Sequence, residues 1–127
     1  MDLNQVTLPS TNVERSIPFY EKLGLVLIVE NLPTYARFEF PFGNATLSLH
    51  HVESMQHPTG VVVYFECEDL DARVAALKEA GVGFDTEPTD QPWLWREAHL
   101  RDLDGNVLCL YQAGMNRRNP PWRVNSR

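Results

Sequence analysis

Cysteine is scarce in this chain of 127 residues: Cys67 and Cys109 are the only two, and neither stands in a CxxC or Cys/His zinc spacing. A disulfide framework is excluded, and reduced thiols are the expectation. Basic residues are also in short supply, 11 Lys and Arg against 17 Asp and Glu, for a net charge of −6. Nucleic-acid partners are therefore not expected, because that binding needs clustered cations to displace counterions from phosphate. No apolar run approaches the roughly 20 residues that cross a bilayer, and no basic segment followed by an apolar core opens the chain. No membrane partner is expected, and a cytoplasmic location follows by default. What the chain does have is 43% hydrophobic residues, enough for one ordinary core and too few for two large independent ones.

The most informative stretch is RDLDGNVLCLY, residues 101–111. Asp104-Gly105 is a tight-turn signal, read as a type I′ reversal with positive φ at both positions. Beyond it Leu108 and Leu110 share one strand face while Val107, Cys109 and Tyr111 share the other. Earlier, residues 3–8 read as a strand with Gln5 and Thr7 away from its oily side. Thr11-Asn12-Val13-Glu14 reads as a capping box before a helix carrying Val13, Ile17 and Tyr20 and ending at Gly24. Pro18 within it predicts a kink or a late start. Residues 25–31, 35–40 and 46–51 read as three strands. The aperiodic segment 52–60 reads as a linker.

The pattern then repeats. Residues 61–67 form a β-branched strand, Asp69 caps a helix with Leu70, Val74 and Leu77 in a stripe, and Gly81 ends it. Residues 82–86, 93–101 and 107–111 are three further predicted strands. Gly24 and Gly81 are offset by 57 residues, and the same offset maps Gln5 onto Val62. The expected fold is α+β: two βαβββ modules, about 1–51 and 61–111, pairing into an open, cup-shaped mixed sheet with helices outside. Residues 1–113 would then be one domain, with 114–127 a C-terminal extension. Strand phase nominates as cup lining Gln5, Thr7, Ser48, His50, Val62, Tyr64, Glu66, Trp95, Glu97, His99, Cys109 and Tyr111, with Tyr35, Arg37 and Glu39 at a rim.

Three stretches, NVERSIPFYEKLGL, FECEDLDARVAALKEAGV and RDLDGNVLCLY, together resemble the vicinal oxygen chelate superfamily. That superfamily includes glyoxalase I, extradiol dioxygenases, fosfomycin resistance enzymes and bleomycin resistance proteins. Leu103 stands where the family's turn usually has proline. The resemblance implies the fold, but it spans unrelated chemistries on one scaffold. In metal-dependent members four ligands, His or Gln, Glu, His and Glu, come from the first, fourth, fifth and eighth strands. Those places hold Gln5, Ser48, Val62 and Cys109 here. Valine has no donor atom and a lone serine hydroxyl is a poor substitute for a carboxylate. The usual metal is therefore not expected, and no cofactor is implied.

The remaining chemistry-bearing residues admit two readings. His50, His99, Glu66, Glu97 and Cys109 could form a displaced metal site, or could be ordinary polar lining. Cys109 could be a nucleophile with His50 or His99 as its base, although no cation stands beside it in sequence to favour the thiolate. Trp93 and Trp95, with Tyr64 and Tyr111, could stack on a planar ligand, or could pack a core or dimer interface. In the tail, Arg117, Arg118, Arg123 and Arg127 surround Pro120-Pro121-Trp122, and Trp122 is expected to bury against the domain or a partner subunit. The leading expectation is a small-molecule-binding protein resembling the bleomycin resistance type, a homodimer by family likeness. Its ligand contacts would be Gln5, Ser48, His50, Tyr64, Trp93, Trp95, His99, Cys109 and Tyr111. The alternative is a glyoxalase-like lyase, isomerase or dioxygenase, using a displaced metal or acid–base catalysis by His50, His99, Glu66 or Tyr64.

Overall fold

A computed structural model describes residues 1–56 and 59–124. The elements run β1 (Gln5–Ser10), α1 (Val13–Lys22), β2 (Val26–Asn31), β3 (Tyr35–Glu39), β4 (Thr46–His51), β5 (Val62–Glu66), α2 (Leu70–Glu79), β6 (Thr89–Asp90), β7 (Arg96–Arg101) and β8 (Val107–Gln112). A short 3-10 turn, Gly114–Arg117, follows. The fold is α+β, with two four-stranded mixed sheets ordered β1-β4-β3-β2 and β5-β8-β7-β6. Each sheet has one parallel pair, β1 with β4 and β5 with β8, and its remaining pairs are antiparallel.

The two helices end in the same way. Gly24 and Gly81 both have positive φ, 99° and 92°. The N–H groups of Gly24 and Leu25 donate to Glu21 and Tyr20, and those of Gly81 and Val82 donate to Lys78 and Leu77. This is the paired 5→2 and 6→1 closure that satisfies a helix's last carbonyls. It places Leu25 and Val82, both buried, under their helices.

The chain forms two compact units, Met1–Val61 with Asp102–Asn106, and Val62–Arg101 with Val107–Arg127. In the first, α1 buries Val13, Ile17 and Tyr20 against Ala36, Phe38, Leu47 and Leu49 of the sheet. The loop Asp102–Asn106 is part of this core. Asp104 accepts from the Thr11 backbone N–H at 2.8 Å, from Thr11 Oγ1 at 2.6 Å and from Ser16 Oγ at 3.2 Å. Asp102 accepts from the Tyr20 hydroxyl at 2.5 Å and from the N–H groups of Asp104 and Asn106. In the second unit α2 buries Leu70, Val74 and Leu77, and Ala98, Leu100, Leu108 and Leu110 of the sheet are buried.

Five local expectations are corrected. The turn is not type I′: Gly105 has φ of 85°, but Asp104 does not share the positive region, and the Gly105 N–H closes onto the Asp102 carbonyl at 3.1 Å, so the central residues are Leu103 and Asp104. Asn12, not Thr11, caps α1, accepting from the Arg15 N–H at 3.0 Å, since the Thr11 hydroxyl is already given to Asp104. The helix does not start late, and Pro18 lies inside it on its exposed side. Residues 82–86 are not a strand: the N–H groups of Asp85 and Thr86 both turn to the single carbonyl of His99, and the edge strand is Thr89–Asp90 instead. Finally, β7 begins at Arg96 rather than 93, because Leu94 adopts a left-handed φ of 67° and closes a turn onto Gln91.

Candidate functional site

Each sheet has a helix-covered face and a second face carrying the polar and aromatic residues. On the first sheet that second face is built from Thr7, Ser48 and Arg37, which lie in register across β1, β4 and β3, with Tyr35 opposite His50 one step along. Ser48 is fully buried, and its hydroxyl lies 2.6 Å from that of Tyr35, which also accepts from Arg37 Nε at 3.0 Å. Burial pushes the Tyr35 hydroxyl up, but the hydrogen bonds from Ser48 and Arg37 and the guanidinium charge outweigh it and leave its pKa below the ordinary value. Gln5 is exposed and accepts from Thr46 Oγ1 at 2.9 Å. His50 is exposed.

On the second sheet, registry aligns Tyr64 (β5), Cys109 (β8) and His99 (β7), and beside them Glu66, Tyr111 and Glu97. These six share one face because the strand period is two. Trp95 stacks on Tyr111 with ring centroids 4.4 Å apart and an interplanar angle of 15°, and Tyr64 stands edge-on to both. Tyr64 remains 50% exposed and Trp93 45% exposed. Burial raises the Tyr64 and Tyr111 hydroxyls, helped by Cys109 and Glu97 for Tyr64 and by Glu66 for Tyr111, so both are neutral hydrogen-bonding groups near neutral pH. Trp95 also lines a depression of about 1050 Å³ with Leu94, Gln91, Asn116 and Arg96, whose remaining walls include Glu66, Glu68, Asp69, Asp71 and Asp90. Arg96 is held to Asp71 and Asp90 at 3.0 Å each.

The candidate acids and nucleophile separate by environment. Glu66 accepts from the N–H groups of Ala113 and Gly114 at 3.1 and 2.9 Å and lies 3.6 Å from Arg117, so it anchors the start of the tail. Cys109 is fully buried, and burial, then Glu97 and Cys67, push its thiol up to about 12. That argues against a thiolate nucleophile at neutral pH. His99 lies 3.6 Å from Glu97 Oε1. Trp93 Nε1 donates to Glu97 Oε2 at 2.6 Å. Of the five residues considered for a displaced metal site, Glu97, His99 and Cys109 come together with ligand atoms within 4.8 Å of one another. His50 belongs to the first unit, and Glu66 is spent on the tail.

The family's usual metal does not fit the four places inherited from the resemblance. Gln5 is a ligand type used there, although its Oε1 already accepts from Thr46; Ser48 is engaged with Tyr35, Val62 has no donor, and Cys109 offers a thiol in place of a carboxylate. The tail expectation is corrected within the chain: Trp122 is 57% exposed. Its first turn docks all the same, with Trp95 Nε1 donating to the Asn116 carbonyl at 3.4 Å. The sequence pattern places Tyr35 and Arg37 at a rim, reads Asp104 as a turn residue and carries no signal for Asp102. Tyr35 and Arg37 were detectable from their two-residue spacing opposite Ser48; the carboxylate cage depends on contacts 82–93 residues apart in sequence and had no local signal.

The chain belongs to the Glyoxalase/Bleomycin resistance protein/Dioxygenase superfamily, whose profile matches residues 2–110. An uncharacterized protein of Bacillus subtilis strain 168, YraH, is 30% identical over 128 residues, covering 88% of this chain and 98% of that protein. Among solved structures, TnmS3, an antibiotic-binding protein from Streptomyces sp. CB03234, is 26% identical with a TM-score of 0.75, covering 90% of this chain and 97% of that one. The bleomycin resistance determinant encoded on transposon Tn5 superposes with a TM-score of 0.75 at 21% identity, over 90% and 99% of the two chains, which speaks for the fold alone.

Proposed function

We propose that this protein binds a planar, cationic small molecule on the aromatic face of its second sheet, and holds the ligand rather than transforming it. The observation that carries the reading is the Trp95–Tyr111 stack with Tyr64 edge-on and half exposed, beside a depression whose carboxylates outnumber its one guanidinium. Aromatic faces attract flat π-systems and cations, and a carboxylate-rich wall adds a favourable field for positive charge. Neutral Tyr64 and Tyr111 hydroxyls would orient polar edges of the ligand. TnmS3 is an antibiotic-binding protein, and that class of ligand is consistent with such a surface. The reading routes no step through the superfamily's usual ion, whose positions Ser48 and Val62 leave without suitable donors.

The test is tryptophan fluorescence during titration with bleomycin and with proflavine, a planar cation. Saturable quenching by at least one probe, weakened about tenfold or more by Trp95→Ala, is expected. The absence of saturable binding to either, or equal affinity in wild type and Trp95→Ala, would contradict the proposal.

A further inference from the structure

Beyond ligand binding, and independently of it, we propose that Glu97, His99 and Cys109 form a mononuclear site for a borderline divalent cation such as zinc, leaving one coordination position open. The three residues sit on adjacent strands of one face. Glu97 and His99 are two apart on β7, and His99 is the direct cross-strand partner of Cys109 on β8. Directly paired residues bring their Cβ atoms to about 4.5–5.5 Å, and here one nitrogen, one oxygen and one sulfur all lie within 4.8 Å of one another. Bonds of about 2.3 Å to sulfur and 2.0–2.1 Å to nitrogen at a tetrahedral angle need a separation of about 3.6 Å. A modest rotamer adjustment closes that difference.

The donor types select the ion. Thiolate, imidazole and carboxylate together suit zinc and its neighbours, whereas magnesium and calcium require oxygen throughout. Two anionic ligands neutralise a dication, which matters where the Glu97 and Cys109 side chains are buried.

The surroundings are arranged as outer-shell partners of a metal usually are. Trp93 Nε1 donates to Glu97 Oε2 at 2.6 Å, leaving Oε1 toward His99 Nε2 at 3.6 Å. Thr86 Oγ1 is fixed by the His99 backbone N–H at 2.9 Å and stands 3.3 Å from His99 Nδ1. In the tautomer that gives the Nδ1 proton to that hydroxyl, Nε2 would present its lone pair on the side of Glu97 Oε1, 3.6 Å away. A lone pair, a carboxylate oxygen and a sulfur converging there are balanced by a cation. Binding forms a metal–sulfur bond and releases the Cys109 thiol proton to solvent. His99 is partly exposed and gives the ion its way in. Only Cys109 coincides with the four positions taken from the superfamily, so this is a different site.

The experiment is a Co²⁺ titration of untagged, chelator-stripped protein. Expected are one Co²⁺ per chain, a near-ultraviolet thiolate-to-cobalt charge-transfer band, displacement by Zn²⁺, and proton release in weak buffer. Cys109→Ser should abolish the band and His99→Ala should weaken binding about tenfold or more, while Cys67→Ser and His51→Gln should leave both unchanged. No band at one equivalent, a band that survives Cys109→Ser, or one lost in Cys67→Ser would overturn the site. If Cys109→Ser does not fold, His99→Ala decides: unchanged Co²⁺ affinity overturns the proposal. The titration contains no organic ligand, so its failure and that of the aromatic-ligand reading are separately visible.

Discussion

Asp104 and Tyr20 show how much of this protein's stability rests on side chains that a turn signal alone does not explain. Burial raises the Asp104 carboxyl, but donation from Ser10, Thr11 and Ser16 more than reverses this, and its pKa lies below the ordinary carboxylate value. A depressed folded-state pKa contributes stability that is fully present above the unfolded value near 4 and is lost as pH falls below it and through the lower folded-state value. Unfolding measured by urea titration should therefore show stability falling below about pH 4, and Asp104→Asn should flatten that dependence while lowering stability at neutral pH by about 2–4 kcal/mol. An unchanged acid limb in Asp104→Asn would show the cage to be energetically idle. Tyr20 has the opposite sign: burial, then Asp102, raise its hydroxyl far above the usual range. It contributes below about pH 10 and loses that contribution as the unfolded tyrosine ionises. Tyr20→Phe should cost about 1–3 kcal/mol at neutral pH, because it removes a donor from buried Asp102. It should also weaken the alkaline decline.

Among elements, the repeated helix ends are where sequence and structure agree most closely. Gly24 and Gly81 were legible because a left-handed residue after a hydrophobic stripe is a local requirement. Gly81→Ala is sterically free but keeps a φ of +92°, so it should destabilise by about 1 kcal/mol. Gly83→Ala, two residues on, has open space and no left-handed backbone; it should be neutral or stabilising by about 0.4–1 kcal/mol. Thermal denaturation of the pair separates backbone strain from side-chain crowding, and equal losses would contradict this account. The two segments whose strands differ from the alternation pattern do so for a physical reason. Val82 and Phe84 alternate like strand residues, but the chain leaving Gly81 reaches only one carbonyl of β7 before Thr89. Trp93 lost its strand position to the Leu94 turn, yet still reached Glu97, so its place near the site followed from proximity rather than from phase.

For the whole molecule, the β-α-β-β-β repeat was legible from the 57-residue offset, and β1 and β5 do start at Gln5 and Val62. The site was legible only in part. Phase put Tyr64, Glu97, His99, Cys109 and Tyr111 on one face, but it could not show that Glu66 would be consumed by the tail. We propose that residues 1–113 fold as one domain and that the chain assembles as a homodimer. Light scattering should then give twice the chain mass. Deleting residues 114–127 should remove the Asn116 acceptor from Trp95 and the Gly114 and Arg117 partners from Glu66, lowering stability by about 1–2 kcal/mol. Unchanged stability and assembly after that deletion would show the docked turn to be dispensable.

Ligand binding at the aromatic face is tested most directly by an NMR titration of the tryptophan indole N–H resonances with proflavine. Trp95, stacked on Tyr111, and Trp93 near it are predicted to shift saturably, while Trp122, distant in sequence and exposed, shifts little. Saturation that moves only Trp122, or moves none of the three, would contradict ligand binding at the aromatic face.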